Sequence, residues 1–226
     1  MNSPASPRGF RQPRCNGCGL TTGLCVCSLW PPLPCRVRVS VVMPRSEARS
    51  ASNTARLLAL WLPGVELHVH GSELAPREPE GLVQQPDTAL LFPSAGPPPA
   101  LPTIVRHLLV PDGTWSQARR IERRWFAPYA LPRLQLSSEW PSVYQLRRGR
   151  RGLCTFEATA IALGLLEDVP LGRTLLDRFA EWARRALLLK PGGPPIAAAP
   201  VGIDEALPRV THPATSALNE LARIST

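Results

Sequence analysis

The sequence predicts an α/β protein with a largely parallel sheet that has helices on both faces and follows a small zinc knuckle. Short, continuously apolar runs alternate with longer amphipathic segments along most of the chain. Continuous apolar strands are typical of parallel sheets that are buried on both faces. A hydrophobic content of 44% in 226 residues is enough for one well-packed core.

Five strands and four helices follow from this pattern. The predicted strands are residues 36–42, 65–70, 88–92, 103–110 and 131–136, and the predicted helices are 53–62, 115 onward, 156–167 and 174–189. Ser52 or Asn53 caps the first helix, and Pro63 with Gly64 ends it. In sheets of this kind ligands bind at the carboxyl ends of the strands, so the loops there are candidate sites.

Composition divides the chain into three regions. Residues 1–34 are a flexible leader with a cysteine cluster, residues 35–190 carry the regular hydrophobic pattern, and residues 191–226 are a Pro- and Ala-rich tail. No apolar run reaches the roughly 20 residues that span a bilayer. The basic N-terminal stretch lacks the apolar segment of a signal peptide. We therefore expect a cytoplasmic protein without a membrane partner, whose cysteines are reduced or metal-bound.

The charge balance indicates a polyanionic partner. The net charge is +9 and the isoelectric point is about 10.2. A basic surface attracts nucleic acid through release of its counterions, and the planar guanidinium group of arginine recognises phosphate with two hydrogen bonds. The sequence contains no strongly basic amphipathic terminal helix that would favour a membrane surface instead.

Four cysteines of the segment CNGCGLTTGLCVC have the spacing of metal ligands. They are Cys15, Cys18, Cys25 and Cys27. Four thiolates suit a tetrahedral zinc ion, and the glycines between them allow tight turns. A redox pair or incidental thiols are the alternatives. Cys35 and Cys154 stand alone and are expected to be packing residues.

The stretch VPDGTW marks a second candidate site. A predicted strand ends just before Asp112, and Thr114 with Gln117 matches a capping box that starts a helix. Asp112 is either a turn former or a ligand-binding carboxylate that grips an amine or acts as a base. Its place between a strand end and a helix start favours the ligand-binding role.

The helix that follows has two different faces. Trp115, Ala118, Ile121 and Trp125 project to one side, so both tryptophans are expected to be core anchors. The arginines on the other side form either a solvated face or an exposed basic stripe that binds phosphate; they are Arg119, Arg120, Arg123 and Arg124.

Asp112, Gly113, Thr114 and Trp115 together resemble the signature of the DTW-domain family. Other motifs follow in the order found in that family: the cysteine cluster, MPRSEARSASNTARLL at 43–58, LFPS at 91–94, YQLRR at 144–148 and CTFEA at 154–158. Met43 departs from the pattern, because a histidine usually stands there in the family.

This resemblance implies a tRNA-uridine aminocarboxypropyltransferase with a SPOUT-like fold and a C-terminal knot. Such an enzyme moves the 3-amino-3-carboxypropyl group of S-adenosylmethionine to N3 of a tRNA uridine and releases methylthioadenosine. A SPOUT-type RNA methyltransferase and a non-catalytic, zinc-containing RNA-binding module are the rival readings.

The resemblance also implies roles for individual residues. Asp112, Thr114 and Trp115 form the expected catalytic group, in which Asp112 is a general base or a clamp for the amino group of the donor. The expected cofactor-binding residues are Pro93, Ser94, Pro111, Gly113, Arg147, Thr155 and Glu157. Glu157 has a second interpretation as a carboxylate that stabilises the start of a helix capped by Thr155.

The expected RNA-binding residues extend beyond the basic stripe. They are Arg119, Arg120, Arg123, Arg124, Arg148, Arg150 and Arg151. Because uridine N3 lies on the pairing edge, the target base must be unpaired or extruded. Trp140 and Tyr144 are candidates for stacking on it, with core packing as the alternative.

Overall fold

The computed structural model describes residues 13–50, 52–70, 80–93, 101–136, 142 and 152–189. One sheet of five strands runs through this part of the chain, and every strand pair in it is parallel. The strands are β1 (Arg38–Pro44), β2 (Val65–His70), β3 (Thr88–Leu91), β4 (His107–Pro111) and β5 (Arg133–Leu134), and their order in the sheet is β2-β1-β4-β3-β5. The predicted α/β class with a parallel sheet is therefore confirmed.

Six α-helices connect the strands or follow them in the described residues. They are α1 (Arg45–Ala48), α2 (Ala55–Trp61), α3 (Glu80–Val83), α4 (Trp115–Ile121), α5 (Thr155–Leu166) and α6 (Val169–Leu187). A π-helical turn, Glu122–Phe126, continues α4 directly. None of the described helices is long and apolar enough to cross a membrane.

Helices cover the sheet on both faces, as the apolar strands require. On one face Val41 packs in a core with Trp61 of α2, Phe156 of α5 and Phe179 of α6. On the other face Val42 packs with residues of α3, α4 and the π-helical turn. Adjacent residues of one strand point to opposite faces, so Val41 and Val42 join different cores. Both are fully buried, which explains why β1 is apolar without alternation.

Helices α5 and α6 form a closely packed hairpin. The rings of Phe156 and Phe179 stack with a centroid distance of 4.8 Å. At Gly172 the backbones approach so closely that an added Cβ atom would lie 2.8 Å from Cα of Gly164. A larger side chain at Gly172 would therefore force the two helices apart.

Three of the predicted helix starts differ from the structure. Helix α2 begins at Ala55 instead of residue 53. Helix α6 begins at Val169 instead of residue 174, because the Asp168 carboxylate accepts the backbone N–H of Leu171 at 2.7 Å and fixes the first turn there. Helix α5 begins at Thr155, so Thr155 is its first residue and Cys154 is its cap. The strand predicted at 103–110 begins at His107, since residues 103, 104 and 106 are exposed.

A buried histidine joins the three central strands. His107 of β4 lies 2.9 Å from the Ser40 hydroxyl of β1 through Nε2 and 3.1 Å from the Thr88 hydroxyl of β3 through Nδ1. It is 1% exposed, and burial, with a smaller contribution from Arg38, lowers its pKa to about 4. The imidazole is therefore neutral in the folded protein at pH 7.

The cysteine-rich segment packs directly on the main domain. The Trp182 indole of α6 donates a hydrogen bond of 2.9 Å to the carbonyl of Cys18. Arg178 of α6 donates to the carbonyl of Pro31 at 2.8 Å, and its guanidinium lies over the ring of Trp30. Apolar side chains of the segment, such as Leu24, belong to the same core as α5 and α6. The segment and the helical hairpin thus share one hydrophobic core.

Candidate active site and metal centre

Asp112 lies at the carboxyl edge of the sheet, directly after β4. Its backbone N–H donates to the carbonyl of Val42 on β1 at 2.8 Å, which extends the pairing of the two central strands by one residue. The side chain is 4% exposed. A carboxylate is expensive to bury unless hydrogen bonds compensate for its lost hydration. The hydrogen-bond partners of the Asp112 carboxylate therefore determine its orientation and the chemistry open to it.

Side chains from two separate helical regions hold the Asp112 carboxylate. Asn53, just before α2, donates from Nδ2 to Oδ2 at 2.9 Å. The hydroxyl of Thr155, the first residue of α5, donates to Oδ1. The carboxylate thus has one fixed orientation at the point where β4, α2 and α5 meet. Thr155, an expected donor contact, thus lies beside Asp112.

Asn53 is itself held in place on both sides. Its Oδ1 accepts the backbone N–H of Arg56 at 3.2 Å and so satisfies a donor of the first turn of α2, although the residue directly before the helix is Thr54 and not Asn53 as predicted. Its Nδ2 also lies 3.6 Å from Sδ of Met43, at the end of β1. The sequence indicated Asn53 as a possible cap and as a matching position of the family motif at 43–58, but assigned it no role at the site. Its position after β1, at the same sheet edge as Asp112, was a further signal that could have revealed the contact.

The turn after Asp112 matches the prediction closely. Thr114 caps α4: its Oγ1 accepts the N–H of Gln117, while Oε1 of Gln117 accepts the N–H of Thr114 at 2.7 Å. Gly113 has φ of +135°, and an added Cβ would lie 2.9 Å from Oε1 of Gln117. Only glycine fits this backbone and leaves room for the capping box. The predicted capping box and helix start are confirmed.

The prediction that Trp115 is a core anchor is wrong. Its side chain is 58% exposed, and its ring centroid lies 6.1 Å from that of Phe92. As the first residue of α4, Trp115 lies at the edge of the sheet and not over its face. Trp125, in the π-helical turn, is 6% exposed and packs edge-on against His70, so it is the anchor that was expected.

The basic stripe is exposed as predicted. Arg119, Arg120, Arg123 and Arg124 all lie on the surface. None of them forms an ion pair with another described residue. Glu122, which lies among them, pairs instead with Arg133 of β5. Four unneutralised guanidinium groups therefore remain on one helical surface.

The other residues expected at the donor site are only partly brought together. Pro111 is buried at the end of β4, and Pro93 is exposed after β3. Ser94 lies outside the described residues, as do Trp140, Tyr144 and the remaining predicted arginines Arg147, Arg148, Arg150 and Arg151.

Glu157 is fully buried in the first turn of α5. Its carboxylate accepts the backbone N–H of Cys154 at 2.8 Å and the hydroxyl of Ser142 at 2.7 Å. These bonds make Glu157 the third residue of a capping box, in agreement with its interpretation as a carboxylate that stabilises the start of α5. Through that role it fixes Thr155, and Thr155 in turn fixes Asp112.

The four predicted metal ligands lie together in space. The Sγ atoms of Cys15, Cys18, Cys25 and Cys27 are all within 4.8 Å of one another. The pair Cys15–Cys27 is 3.4 Å apart and the pair Cys18–Cys25 is 3.7 Å apart. Zn–S bonds of about 2.3 Å in a tetrahedron place sulfur atoms about 3.8 Å apart, so the cluster fits a tetrahedral ion.

Local backbone geometry supports this cluster. An added Cβ at Gly17 would lie 2.9 Å from Sγ of Cys27, so the turn must approach the sulfur closely. Hydrogen bonding from the backbone of Cys18 lowers the pKa of Cys15 to about 6, which favours the thiolate that binds metal. Burial raises the pKa values of Cys25 and Cys27, and a bound cation would offset that effect.

The two isolated cysteines do not join the cluster. Cys154 is 1% exposed at the start of α5. The Cys35 thiol donates to the Glu167 carboxylate at 3.2 Å, and burial raises its pKa to about 12. Both are packing residues, as predicted.

Comparison with known proteins identifies the family. The DTW-domain family model matches residues 12–187, a range that includes the cysteine cluster, Asp112 and Thr155. The chain belongs to the DTW-domain family. Asp112, Thr114 and Trp115 are therefore the three residues of the DTW signature, and the structure places them at the carboxyl edge of β4.

Two similar proteins carry functional names. The chain is 28% identical over 174 residues to tRNA-uridine aminocarboxypropyltransferase 2 of Macaca fascicularis and 29% identical over 175 residues to the protein of the same name from Mus musculus. Each alignment covers 70% of this chain and 57% of the relative, so the chain spans little more than half of their length. No solved structure matches the chain.

Proposed function

We propose that this protein transfers the 3-amino-3-carboxypropyl group of S-adenosylmethionine to N3 of a tRNA uridine and releases methylthioadenosine. The observation that carries the proposal is the Asp112 carboxylate, buried at the carboxyl edge of the sheet and held there by Asn53 and Thr155. The names of the two relatives supply the reaction and the class of substrate.

The residues at this edge suit a donor that carries an amino group, hydroxyl groups and a carboxylate. S-adenosylmethionine would supply a methylene group that its sulfonium makes electrophilic. Asp112 receives the N3 proton of uridine while the new N3–C bond forms and the C–S bond breaks. Pro93, Pro111 and Gly113, at the ends of β3 and β4, are the proposed contacts of the donor. Ser94 and Arg147 lie outside the described residues and stay candidates, Arg147 for the donor carboxylate.

Orientation accounts for the choice of carbon. The sulfonium of the donor bears three carbons, and the attacked one must be held in line with uridine N3. Asn53 and Thr155 prevent rotation of the Asp112 carboxylate, and the Thr114 cap sets the direction in which α4 leaves the site. A preorganised acceptor of this kind needs little rearrangement during the reaction.

The partners follow from charge and from the cysteine cluster. The exposed stripe of Arg119, Arg120, Arg123 and Arg124 provides cations for tRNA phosphates. Arg148, Arg150 and Arg151, which lie outside the described residues, are further candidates for phosphate binding. The four cysteines hold a structural zinc ion that stabilises the segment before β1. A tRNA substrate also supports a cytoplasmic location.

The decisive experiment supplies S-adenosylmethionine labelled first on the methyl group and then on the carboxyl carbon, together with unmodified tRNA. We expect the carboxyl label, and not the methyl label, to enter tRNA, and nucleoside mass spectrometry to find aminocarboxypropyl-uridine. If the methyl label enters the RNA, the protein is a SPOUT-type RNA methyltransferase and the proposal is wrong. A protein that binds tRNA but transfers neither label would be an RNA-binding module.

Asp112→Asn then tests the role of the carboxylate. As a base, it should lower kcat strongly while the Kd for the donor stays near the wild-type value, and activity should recover at high pH, where uridine N3 ionises without help. A clamp for the donor amine would instead raise that Kd. Asp177→Asn removes an exposed carboxylate of α6 and is the matched control.

A further inference from the structure

Trp115 is the most exposed aromatic side chain among the described residues, at 58%. One neighbour fixes it: the half-buried ring of Phe92, at the end of β3, lies 6.1 Å away and is tilted by 58°. Phe92 packs against the core between the sheet and α4. A large indole surface therefore stays open to solvent at the edge where Asp112 lies, three residues earlier in the chain.

Hydrogen bonds hold both halves of this aromatic pair. The capping box of Thr114 and Gln117 determines where α4, and so Trp115, begins. On the side of Phe92, Arg133 donates to the carbonyl of Pro93 and pairs with Glu122 in the turn that follows α4. A preorganised aromatic surface loses little side-chain freedom when a planar ligand stacks on it.

Positive charge lies beside the indole. Arg119 is four residues after Trp115 in α4, so the two side chains are neighbours, and the predicted assignment of Trp115 and Arg119 to opposite faces is wrong for this pair. Arg119 is exposed and has no ion-pair partner among the described residues. An exposed aromatic ring next to an unpaired cation is the combination that binds single-stranded nucleic acid, because the ring stacks on a base and the cation binds the phosphate.

We propose that Phe92 and Trp115 form a stacking site for an unpaired RNA base, with Arg119 on the adjoining phosphate. This inference rests on the proposed function and adds the place where the single-stranded RNA lies. The adenine of the donor is the other planar candidate. Small-molecule sites bury about 70–90% of their ligand, whereas a surface that is open and flanked by cations fits a polymer.

The test measures the affinity for a short fluorescein-labelled oligouridine and for the same strand annealed to oligoadenosine. Trp115→Ala should weaken binding of the single strand by about tenfold, and Trp115→Phe by much less, because one aromatic–base stack is removed or kept. Duplex binding should not change. Tyr129→Ala, which removes another exposed aromatic ring, should leave both affinities unchanged.

Arg119→Ala is compared with Arg38→Ala, since Arg38 is also exposed but lies at the amino edge of the sheet. Only Arg119→Ala should weaken binding of the single strand and lower its salt dependence. Oligouridine should also quench wild-type tryptophan fluorescence, and Trp115→Phe should abolish this quenching.

Unchanged oligouridine affinity in Trp115→Ala would overturn the inference. It would also be overturned if Trp115→Ala weakened binding of S-adenosylmethionine and left binding of oligouridine unchanged. This result is independent of the transferase assay. A protein without transferase activity that still loses oligouridine binding in Trp115→Ala would refute the proposed function and keep the stacking site. If the enzyme is active and Trp115→Ala does not change kcat/KM for tRNA, the stacking site would be refuted and the proposed function kept.

Discussion

The Asn53 carboxamide donates from Nδ2 to Oδ2 of Asp112 at 2.9 Å, and its Oδ1 accepts the backbone N–H of Arg56. One side chain therefore caps α2 and orients the carboxylate at the candidate site. Asn53→Asp keeps the capping oxygen but replaces the donor to Asp112 with a second carboxylate oxygen. We expect kcat to fall roughly ten- to a hundredfold, since small misplacements at a reacting centre have effects of that size.

The measurement is steady-state transfer of labelled aminocarboxypropyl group to tRNA, with a thermal melt of each variant. Thr88→Val is the matched control, because it removes a buried hydrogen bond to His107 and does not touch Asp112. It should lower the melting temperature and leave kcat unchanged. Wild-type kcat in Asn53→Asp would refute the positioning role.

The His107 network predicts a pH-dependent stability. Burial holds the pKa of His107 at about 4, below the value near 6.5 of an unfolded chain. Between these values the unfolded chain binds a proton that the folded protein does not, so stability falls as the pH drops from 6.5 to 4. The expected loss is up to about 3 kcal/mol, measured by urea unfolding at a series of pH values.

His107→Gln removes the titrating group and keeps a polar side chain between Ser40 and Thr88. The variant should be less stable than the wild type at pH 7 and should show a flatter pH dependence. If the free energy of unfolding of the variant falls between pH 6.5 and 4 as steeply as that of the wild type, other groups cause the effect. His70 is one such group, because its pKa is also lowered by burial and by Arg124.

The close approach of α5 and α6 predicts a large effect for a small substitution. In Gly172→Ala the new methyl group meets Cα of Gly164 at 2.8 Å and the carbonyl of Ala160 at 3.0 Å, so the helices must move apart. Overpacking of this kind costs about 1–3 kcal/mol. Gly81→Ala in α3 is the control, since nothing lies within 4 Å of its Cβ position. Equal melting temperatures for the two variants would contradict the packing argument.

Metal removal should destabilise the whole protein. Because the cysteine segment shares the main core, Cys18→Ser or treatment with a strong chelator should remove zinc and lower the melting temperature. Cys35→Ser is the control: it lies outside the cluster, and its hydroxyl can still donate to Glu167. Elemental analysis of both variants is the measurement. Full zinc content in Cys18→Ser would exclude Cys18 as a ligand.

Sequence patterns predicted those parts of the molecule that depend on residues close together in the sequence. The apolar runs indicated the parallel sheet, the spacing of Thr114 and Gln117 indicated the capping box, and the spacing of the cysteines indicated the cluster. The partners of Asp112 could not be predicted in this way. Asn53 lies 59 residues and Thr155 lies 43 residues from it in sequence, and only the packing of α2 and α5 brings them together.

The exposure of Trp115 escaped prediction for a different reason. A helical projection shows the direction in which a side chain points around the helix axis. It does not show whether that part of the helix lies over the face of the sheet or beyond its edge. Trp115 shares a projected face with Trp125, yet it lies at the edge of the sheet while Trp125 lies over it.

The bond between Trp182 and Cys18 spans 164 residues, almost the full extent of the described chain. During synthesis the cysteine segment leaves the ribosome well before α6, the helix that covers it. The segment must therefore wait for α6 before its apolar side is shielded from water. A metal ion bound by the four cysteines would hold the segment in shape during that interval, so metal supply would bear on how much folded protein a cell obtains.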